Sequence, residues 1–208
     1  MNVRLSALIF CCSLLPAISY GFDELTPAQA WIYDKGHLAN TQEGESLTYD
    51  YTALSAEVPV IEDVASLSVT ASHEGGKRDV KVTFLNGDNA MLLPPFRGYR
   101  GNPMIIAMLE HIAQSMSKET GGGALYFRNR IRDSLASDAV EMQEYEMEYQ
   151  DQKVPATVLT FYPFKQDQYL NESPEMKEAR FQIELSDDVP GGLYRVEVST
   201  QGEDKLFE

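Results

Sequence analysis

"NPMIIAMLEHIAQSM", residues 102–116, differs from the sequence on either side of it in its hydrophobic period. Asn102 is a typical helix cap, and Pro103 suits the first helical position. The apolar residues that follow recur at the spacing of one helical face, and they are Ile105, Met108, Leu109, Ile112 and Met116. The stretch therefore predicts an amphipathic helix in the middle of the chain.

Two other segments carry helical signals. A second helix is predicted to begin at Ala124, after the interruption "KETGGG" at residues 118–123. Its apolar face would consist of Ala124, Phe127, Ile131 and Leu135. Near the N-terminus, "TPAQAWIYDKG" (residues 26–36) has a cap-like threonine, a proline at the first helical position and a glycine stop. This segment predicts a short helix.

The sequence on both sides of the central helices alternates apolar and polar residues, which is typical of half-buried strands. In "SLTYDYTA" (residues 46–53), for example, Leu47, Tyr49 and Tyr51 share one face. Similar alternation recurs in "ASLSVTAS", "DVKVTF", "EYEMEY", "VPATVLTFYPF", "RFQIELS" and "LYRVEVST". The patterns predict about eight strands.

Turn signals divide this alternating sequence into hairpins. Gly75-Gly76 and Asn86-Gly87 are both typical of tight turns between strands. The prolines of "MLLPPF", residues 91–96, are expected to stop further strand pairing. Since a sheet with one apolar face needs a cover on that face, the predicted fold class is α+β, a curved antiparallel sheet of about eight strands packed on two central helices.

The first 21 residues have the features of a secretory signal peptide. Arg4 provides the positive charge, residues 5–15 form an apolar run, and small residues follow Pro16. The run is shorter than the roughly 20 residues that a membrane-spanning helix needs. We therefore expect cleavage after Gly21, or after Ser19, and a single periplasmic α+β domain over residues 22–208 with no transmembrane segment after cleavage.

Composition excludes several functional classes. Both cysteines, Cys11 and Cys12, lie in the predicted signal peptide, so the predicted mature chain has no disulfide, no cysteine nucleophile and no cysteine metal site. The formal charge of −15 disfavours nucleic acid as a partner, because phosphates attract clustered lysine and arginine. Eleven tyrosines, nine phenylalanines and eight methionines could form an ordinary core or line an apolar cavity.

One segment, residues 97–132, is basic within this acidic chain, with a formal charge of +4. It contains the sequence "TGGGALYFRNRIR", whose glycines could offer free N–H groups to an anion at a helix start. The predicted ligand-binding residues are Arg97, Arg100, Gly121, Gly122, Gly123, Tyr126, Arg128, Arg130 and Arg132. The alternative is structural: the glycines are a hinge, and the arginines pair with glutamates such as Glu144, Glu146 and Glu148.

Catalytic and metal motifs are absent from the sequence, and we predict no cofactor. The histidines, His37, His73 and His111, have no metal-ligand spacing, and "NGDNA" lacks the length and final glutamate of an EF-hand loop. Neighbouring residues on a helix point about 100° apart, so Glu110 and His111 cannot form a ligand pair by themselves. His111 with Glu110 or Glu119 is the best candidate set for a hydrolase.

The segments "TGGGALYFRNRIRDSLA" and "RGNPMIIAMLEHIAQSM" resemble uncharacterised secreted proteins of proteobacteria. At the level of architecture alone, the predicted sheet over helices is similar to LolA-like periplasmic carriers, a resemblance that implies handling of apolar ligands. The sequence thus favours a non-catalytic periplasmic binding or envelope-maintenance protein. It would hold an amphiphilic or anionic ligand, such as a lipid, or a segment of a periplasmic protein. A periplasmic hydrolase using carboxylate and histidine chemistry is the alternative.

Overall fold

The structure, a computed structural model, describes residues 24–53 and 61–199, together with the backbone strand at residues 205–207. The predicted signal peptide, residues 1–21, lies outside the described residues. Four α-helices occur in the described part, and they are α1 (Pro27–Gln29), α2 (Pro103–Thr120), α3 (Ala124–Leu135) and α4 (Pro174–Lys177).

The N-terminal helix is less regular than its sequence predicts. Thr26 and Gln29 form a capping box around α1, in which each side chain accepts a hydrogen bond from the other residue's main-chain N–H, at 3.2 and 3.0 Å. The chain then continues as a π-helical turn over Ala30–Asp34 and, after Gly36, as a 3₁₀ turn over His37–Asn40.

The central helix is present as α2, which begins and ends at the predicted signals. The Asn102 side chain accepts a hydrogen bond from the N–H of Met104 at 2.9 Å, and Gly121 ends the helix in the left-handed conformation. All five residues of the predicted apolar stripe are buried. On α3, Phe127, Ile131 and Leu135 are buried as well.

Nine strands occur in the described residues. They are β1 (Ser46–Ala53), β2 (Ile61–Ser72), β3 (Arg78–Phe84), β4 (Phe96–Tyr99), β5 (Glu141–Tyr149), β6 (Gln152–Phe161), β7 (Arg180–Leu185), β8 (Leu193–Ser199) and β9 (Lys205–Phe207). Every pairing between them is antiparallel.

The strands form two four-stranded antiparallel sheets, β4-β3-β2-β1 and β8-β7-β6-β5, and β9 links them in the order β4-β3-β2-β1-β9-β8-β7-β6-β5. The prediction of about eight strands in one curved sheet is therefore wrong in its arrangement, although the α+β class and the antiparallel pairing are confirmed. The reason is that alternation indicates half-buried strands but not which strands are neighbours, so it could neither divide the strands into two sets nor place the three-residue β9, "KLF", between them.

A second correction concerns "MLLPPF". Met91 pairs with Phe84 as an isolated bridge, and β4 pairs with β3 at Arg78↔Tyr99 and Val80↔Phe96. Strand pairing therefore continues beyond the prolines. This is possible because β4 is the edge strand of its sheet and both prolines precede it, so the ladder needs no hydrogen bond from either one.

One large apolar core draws side chains from both four-stranded sheets and from α2 and α3. Its buried members include Leu67 and Val82 of the first sheet, Ile112 of α2, Phe127 of α3 and Phe181 of the second sheet. Burial of a side chain of this size stabilises the fold by about 1.5–3 kcal/mol. A second, small cluster of Met147, Val154, Ala156 and Val189 lies apart from this core.

Candidate functional site

The predicted arginine site is divided among several ion pairs. Arg128 of α3 binds Glu110 of α2 with two hydrogen bonds, Nε to Oε2 and Nη2 to Oε1, each 2.6 Å long. Gln114 donates a further hydrogen bond to Glu110 at 2.9 Å. The hydrogen bond from Arg128 lowers the pKa of Glu110, against the opposing effect of partial burial. The pair thus connects the two central helices.

Arg130 belongs to a second group of polar side chains, around the buried Asp167. Its Nε lies 2.9 Å from Asp167 Oδ2, and its guanidinium lies 5.4 Å from the centre of the Tyr126 ring. Tyr126 also donates a short hydrogen bond to Asp167. Burial disfavours the ionised carboxylate, but the hydrogen bonds from Tyr126 and from the N–H of Tyr169, together with the charge of Arg130, outweigh it and lower the pKa of Asp167.

The remaining predicted cations are exposed. Arg132 pairs with Asp133 at 3.1 Å, Arg100 lies 3.9 Å from Asp34, and Arg97 is exposed on β4. The suggestion that the arginines pair with Glu144, Glu146 and Glu148 is wrong, since Arg128, Arg130 and Arg132 pair with Glu110, Asp167 and Asp133. Tertiary packing rather than sequence proximity selects the first two of these partners.

The three glycines connect α2 to α3. Gly121 ends α2 with φ of 72°, and Gly123 occupies the cap position of α3. The N–H of Gly122 donates to the hydroxyl of Thr120 at 3.2 Å, and a Cβ at this position would lie 3.0 Å from Cε2 of Phe127. The geometry is that of a tight helix connection, while anion binding by these residues stays a prediction.

The histidines differ in their surroundings. Nε2 of His111 lies 2.8 Å from the hydroxyl of Tyr51, and burial lowers the pKa of His111. Nε2 of His37 lies 2.6 Å from the carbonyl of Trp31, and burial lowers the pKa of His37 as well. His73 is exposed and pairs with Asp79 at 2.7 Å.

The residues predicted as hydrolase candidates, and the residues that could bind a metal ion, do not form a catalytic or metal site in the described part of the chain. Glu110 is bound by Arg128, and burial raises the pKa of Glu119. "NGDNA" forms a 3₁₀ turn over Gly87–Asn89. Among the residues that the structure describes, no three His, Cys, Asp or Glu side chains lie close enough together to hold a metal ion.

A cleft of about 890 Å³ lies between β1 and β8, and we call it the β1–β8 cleft. This volume is in the range of small-molecule sites. Its lining is mainly apolar and aromatic: Leu47, Tyr49 and Tyr51 on β1, Leu193, Tyr194 and Val196 on β8, and Phe84, Met104 and Met108 from β3 and α2. Asp50 is the one carboxylate among its described lining residues.

Asn102 forms hydrogen bonds with β1 and with the turn before β8, beside this cleft. Its side-chain N–H₂ group donates to the hydroxyl of Tyr49 at 2.9 Å and to the carbonyl of Gly191 at 2.8 Å. Its oxygen caps α2 through Met104. Burial raises the pKa of Tyr49 to about 12, so this hydroxyl is neutral at physiological pH. Asn102 thereby fixes β1, the turn before β8 and the start of α2 relative to one another.

The rest of the lining mixes aromatic and charged groups. Tyr149 and Tyr194 pack edge to face, with ring centres 6.4 Å apart, and Tyr194 is partly exposed. Arg195 pairs with the buried carboxylates of Glu184 and Glu197, at 2.5 and 3.4 Å. Its charge is therefore balanced by two carboxylates of the same sheet.

The position of β9 explains why the cleft exists. Phe207 pairs with Ala53 of β1 on one side and with Val198 of β8 on the other. One strand therefore separates β1 from β8 at this end, a spacing of about 9–10 Å. In the described residues, β9 pairs with Ala53 at the end of β1 and with Val198 and Ser199 at the end of β8. The cleft lies beyond these pairs, beside earlier residues of both strands.

The main chain of β1 presents an open edge to the cleft. The N–H of Val69 in β2 donates a hydrogen bond to the carbonyl of Glu45, just before β1. In an antiparallel pair, every second residue bonds to the neighbouring strand, and the residues between them direct their N–H and C=O groups to the opposite side. The main-chain groups of Ser46, Thr48 and Asp50 therefore point away from β2. The 3.0 Å contact between the hydroxyls of Ser46 and Ser68 fits a non-hydrogen-bonded pair. We call the main-chain groups of Ser46, Thr48 and Asp50 the β1 edge; within the described residues, no strand pairs with it.

The sequence left open whether the tyrosines, phenylalanines and methionines form an ordinary core or line an apolar cavity, and it placed the candidate ligand residues elsewhere. None of the nine predicted ligand-binding residues is among the described residues that line the β1–β8 cleft. The apolar alternation of "SLTYDYTA" and "LYRVEVST" was visible, yet it carries no sign that the two strands face each other. A second cavity of about 300 Å³ lies near the end of α2, beside Glu119, Glu172 and Glu175.

Comparison with protein families, with curated proteins and with solved structures found no match to this chain. The site is therefore interpreted from its own geometry. Among the helices that the structure describes, none is long and apolar enough to cross a membrane.

Proposed function

We propose that this chain is a non-catalytic binding protein of the periplasm, which holds an amphiphilic ligand or a protein segment in the β1–β8 cleft. The observation that carries the proposal is the cleft itself, about 890 Å³ in volume and lined mainly by apolar and aromatic side chains. Cavities of this size and character usually bind ligands with large apolar surfaces.

The hydrogen bonds around the cleft support a pre-organised binding site. Asn102 is buried and bonds to Tyr49 in the cleft lining and to Gly191 in the turn before β8, so these positions are fixed without a ligand. Met104 and Met108 line it from α2, and methionine adapts its shape to varied apolar partners. A pre-organised site loses less conformational entropy on binding than a site that must first form.

The placement in the periplasm is supported by the signal-peptide features of residues 1–21. Convergent catalytic groups are not found in the described lining, where Asp50 is the one carboxylate. For this reason we favour binding over hydrolysis.

Native mass spectrometry of the protein, purified from a Gram-negative periplasm without detergent, tests the proposal. We expect an additional mass that is lost on denaturation. A fluorescent probe, dansyl-undecanoic acid, tests the location of the site. It should bind the wild-type protein and be excluded by Met108→Trp, which fills the cleft. Met142→Trp, at an exposed position on β5, is the matched control and should bind normally.

The proposal fails if the purified protein carries no ligand and neither the probe nor any peptide binds in the cleft. It also fails if a folded Met108→Trp variant binds the probe as tightly as the Met142→Trp variant does. Circular dichroism and thermal unfolding of both variants establish that each is folded.

A further inference from the structure

We infer that the β1–β8 cleft binds an extended segment of another polypeptide, which pairs with β1 as an added strand. This inference rests on the proposed function and specifies the class of ligand. It depends on two observations: the cleft has a mainly apolar lining, and the β1 edge runs along one side of it.

The polar main chain of the β1 edge selects between the possible ligands. An acyl chain could cover Met104 and Met108, but it would place hydrocarbon against the N–H and C=O groups of Ser46, Thr48 and Asp50. Loss of hydration without a replacement hydrogen bond is costly for such groups. An extended peptide covers the same apolar surface and supplies the missing donors and acceptors.

The chain itself shows that a strand fits between these walls. β9 is antiparallel to both β1 and β8, and Phe207 pairs with a residue of each. A peptide in the cleft would lie along the same line as β9. Residues 46–52 of β1 extend about 20–24 Å, which corresponds to a bound segment of about six or seven residues.

Local side chains indicate the sequence that this segment would have. Alternate residues of an extended peptide point to opposite faces. One set would contact Phe84, Met104 and Met108 and should therefore be apolar. The other set would lie beside the exposed Asp50, on a chain with a formal charge of −15, and should be rich in lysine or arginine. The expected ligand is thus a segment in which apolar and basic or neutral polar residues alternate.

Selection from a library of displayed linear heptapeptides tests the inference. The wild-type protein is the target, and the Met108→Trp variant is used to remove peptides that bind elsewhere. We expect enrichment of peptides with alternating apolar residues. The best peptide is then synthesised with and without N-methyl groups on its central amides. Methylation should weaken binding at least about tenfold, because it removes main-chain donors.

A change in the protein tests the same contact from the other side. Thr48→Pro removes a main-chain N–H that faces the cleft and leaves the β1–β2 hydrogen bonds in place. It should weaken peptide binding at least about tenfold, whereas Thr48→Ala should change it less than about twofold. If Thr48→Pro does not fold, the N-methylated peptide decides the question.

The inference is overturned if no peptide is enriched over the Met108→Trp background, or if N-methylation leaves the affinity unchanged. The proposed function would survive either result, provided that dansyl-undecanoic acid still binds in the cleft and is excluded by Met108→Trp. If the purified protein carries no ligand and neither the peptides nor the fatty-acid probe binds, both proposals fail.

Discussion

The side-chain amide of Asn102 donates a hydrogen bond to the hydroxyl of Tyr49 at 2.9 Å, and this contact joins the start of α2 to β1 inside the protein. The same amide group bonds to the carbonyl of Gly191, which precedes β8. One buried residue therefore connects β1 and the turn before β8 with the start of α2. Loss of its side chain should affect the stability of the whole cleft.

Asn102→Ala should reduce the free energy of unfolding by about 2–4 kcal/mol, because it removes a helix cap and leaves two buried polar groups without their donor. Asn102→Asp keeps an oxygen that can cap α2 and should cost less than Asn102→Ala. Urea denaturation of the three proteins measures the difference. A loss below about 1 kcal/mol for Asn102→Ala would show that the connection is weak.

Gly192→Ala should destabilise the fold more than Gly44→Ala, although both glycines have positive φ, 71° and 85°. A Cβ at Gly192 would lie 2.4 Å from Nδ1 of His37, whereas a Cβ at Gly44 would meet no atom within 4 Å. The Gly44 variant should lose about 1 kcal/mol from backbone strain, and the Gly192 variant at least about 2 kcal/mol more. Thermal unfolding of both variants tests the ranking, and equal losses would contradict the close approach at Gly192.

Stability should fall as the pH decreases from 7 toward 5, in part because of His37. Burial lowers the pKa of His37 in the folded protein, and the nearby positive charge of Lys35 lowers it further. The hydrogen bond with the Trp31 carbonyl and the charge of Asp187 raise the pKa, but by less. The unfolded chain binds a proton at about pH 6.5, before the folded chain does, so protonation favours unfolding below that pH. His37→Gln should therefore show a shallower dependence.

The measurement is the free energy of unfolding of the wild-type and His37→Gln proteins at pH 7, 6 and 5. The advantage of the wild type over the variant should shrink as the pH decreases. Some dependence should remain in the variant, because burial also lowers the pKa of His111. A constant difference between the two proteins would contradict the assignment to His37.

The ion pair between Glu110 and Arg128 should contribute about 0.5–1 kcal/mol near neutral pH, since it is bidentate but only partly shielded from water. The folded pKa of Glu110 is lowered, so this contribution is present above the usual pKa of glutamate and is lost as the pH falls through the folded value. Glu110→Gln should remove it.

Asp133→Asn is the matched control for Glu110→Gln. The side chain of Asp133 is 60% exposed in its pair with Arg132, against 21% for Glu110 in its pair with Arg128, so its removal should have little effect. Denaturation at pH 7 and pH 3 compares the two variants with the wild type. Equal losses at pH 7, or a Glu110→Gln loss that does not decrease at all as the pH is lowered, would argue against the helix-linking role of this pair.

Local patterns predicted much of the fold, because the signals lie within the segments that they shape. The cap at Asn102, the stripe that includes Ile105 and Ile112, and the alternation in "SLTYDYTA" all correspond to observed elements. The pairing of β4 could not be predicted from its prolines, because nothing in the local sequence shows that β4 lies at an edge of its sheet.

The cleft could not be predicted, because it depends on which strands are neighbours across the molecule. β1 and β8 lie at opposite ends of the described sequence, and the strand between them at one end of the cleft has three residues. The partners of Arg128 and Arg130 are likewise set by tertiary packing. Charge along the sequence identified the arginines but not the carboxylates that neutralise them.

Amide hydrogen exchange along β1, measured by NMR for each residue, tests directly whether the β1 edge is open and whether a peptide pairs with it. In the free protein, the amides of Ser46, Thr48 and Asp50 should exchange quickly, and those of Leu47, Tyr49 and Tyr51 slowly, because only the second set bonds to β2. A selected peptide should slow the first set. Uniform protection of β1 in the free protein, or no change at Thr48 and Asp50 on saturation with the peptide, would contradict an open strand edge in the cleft.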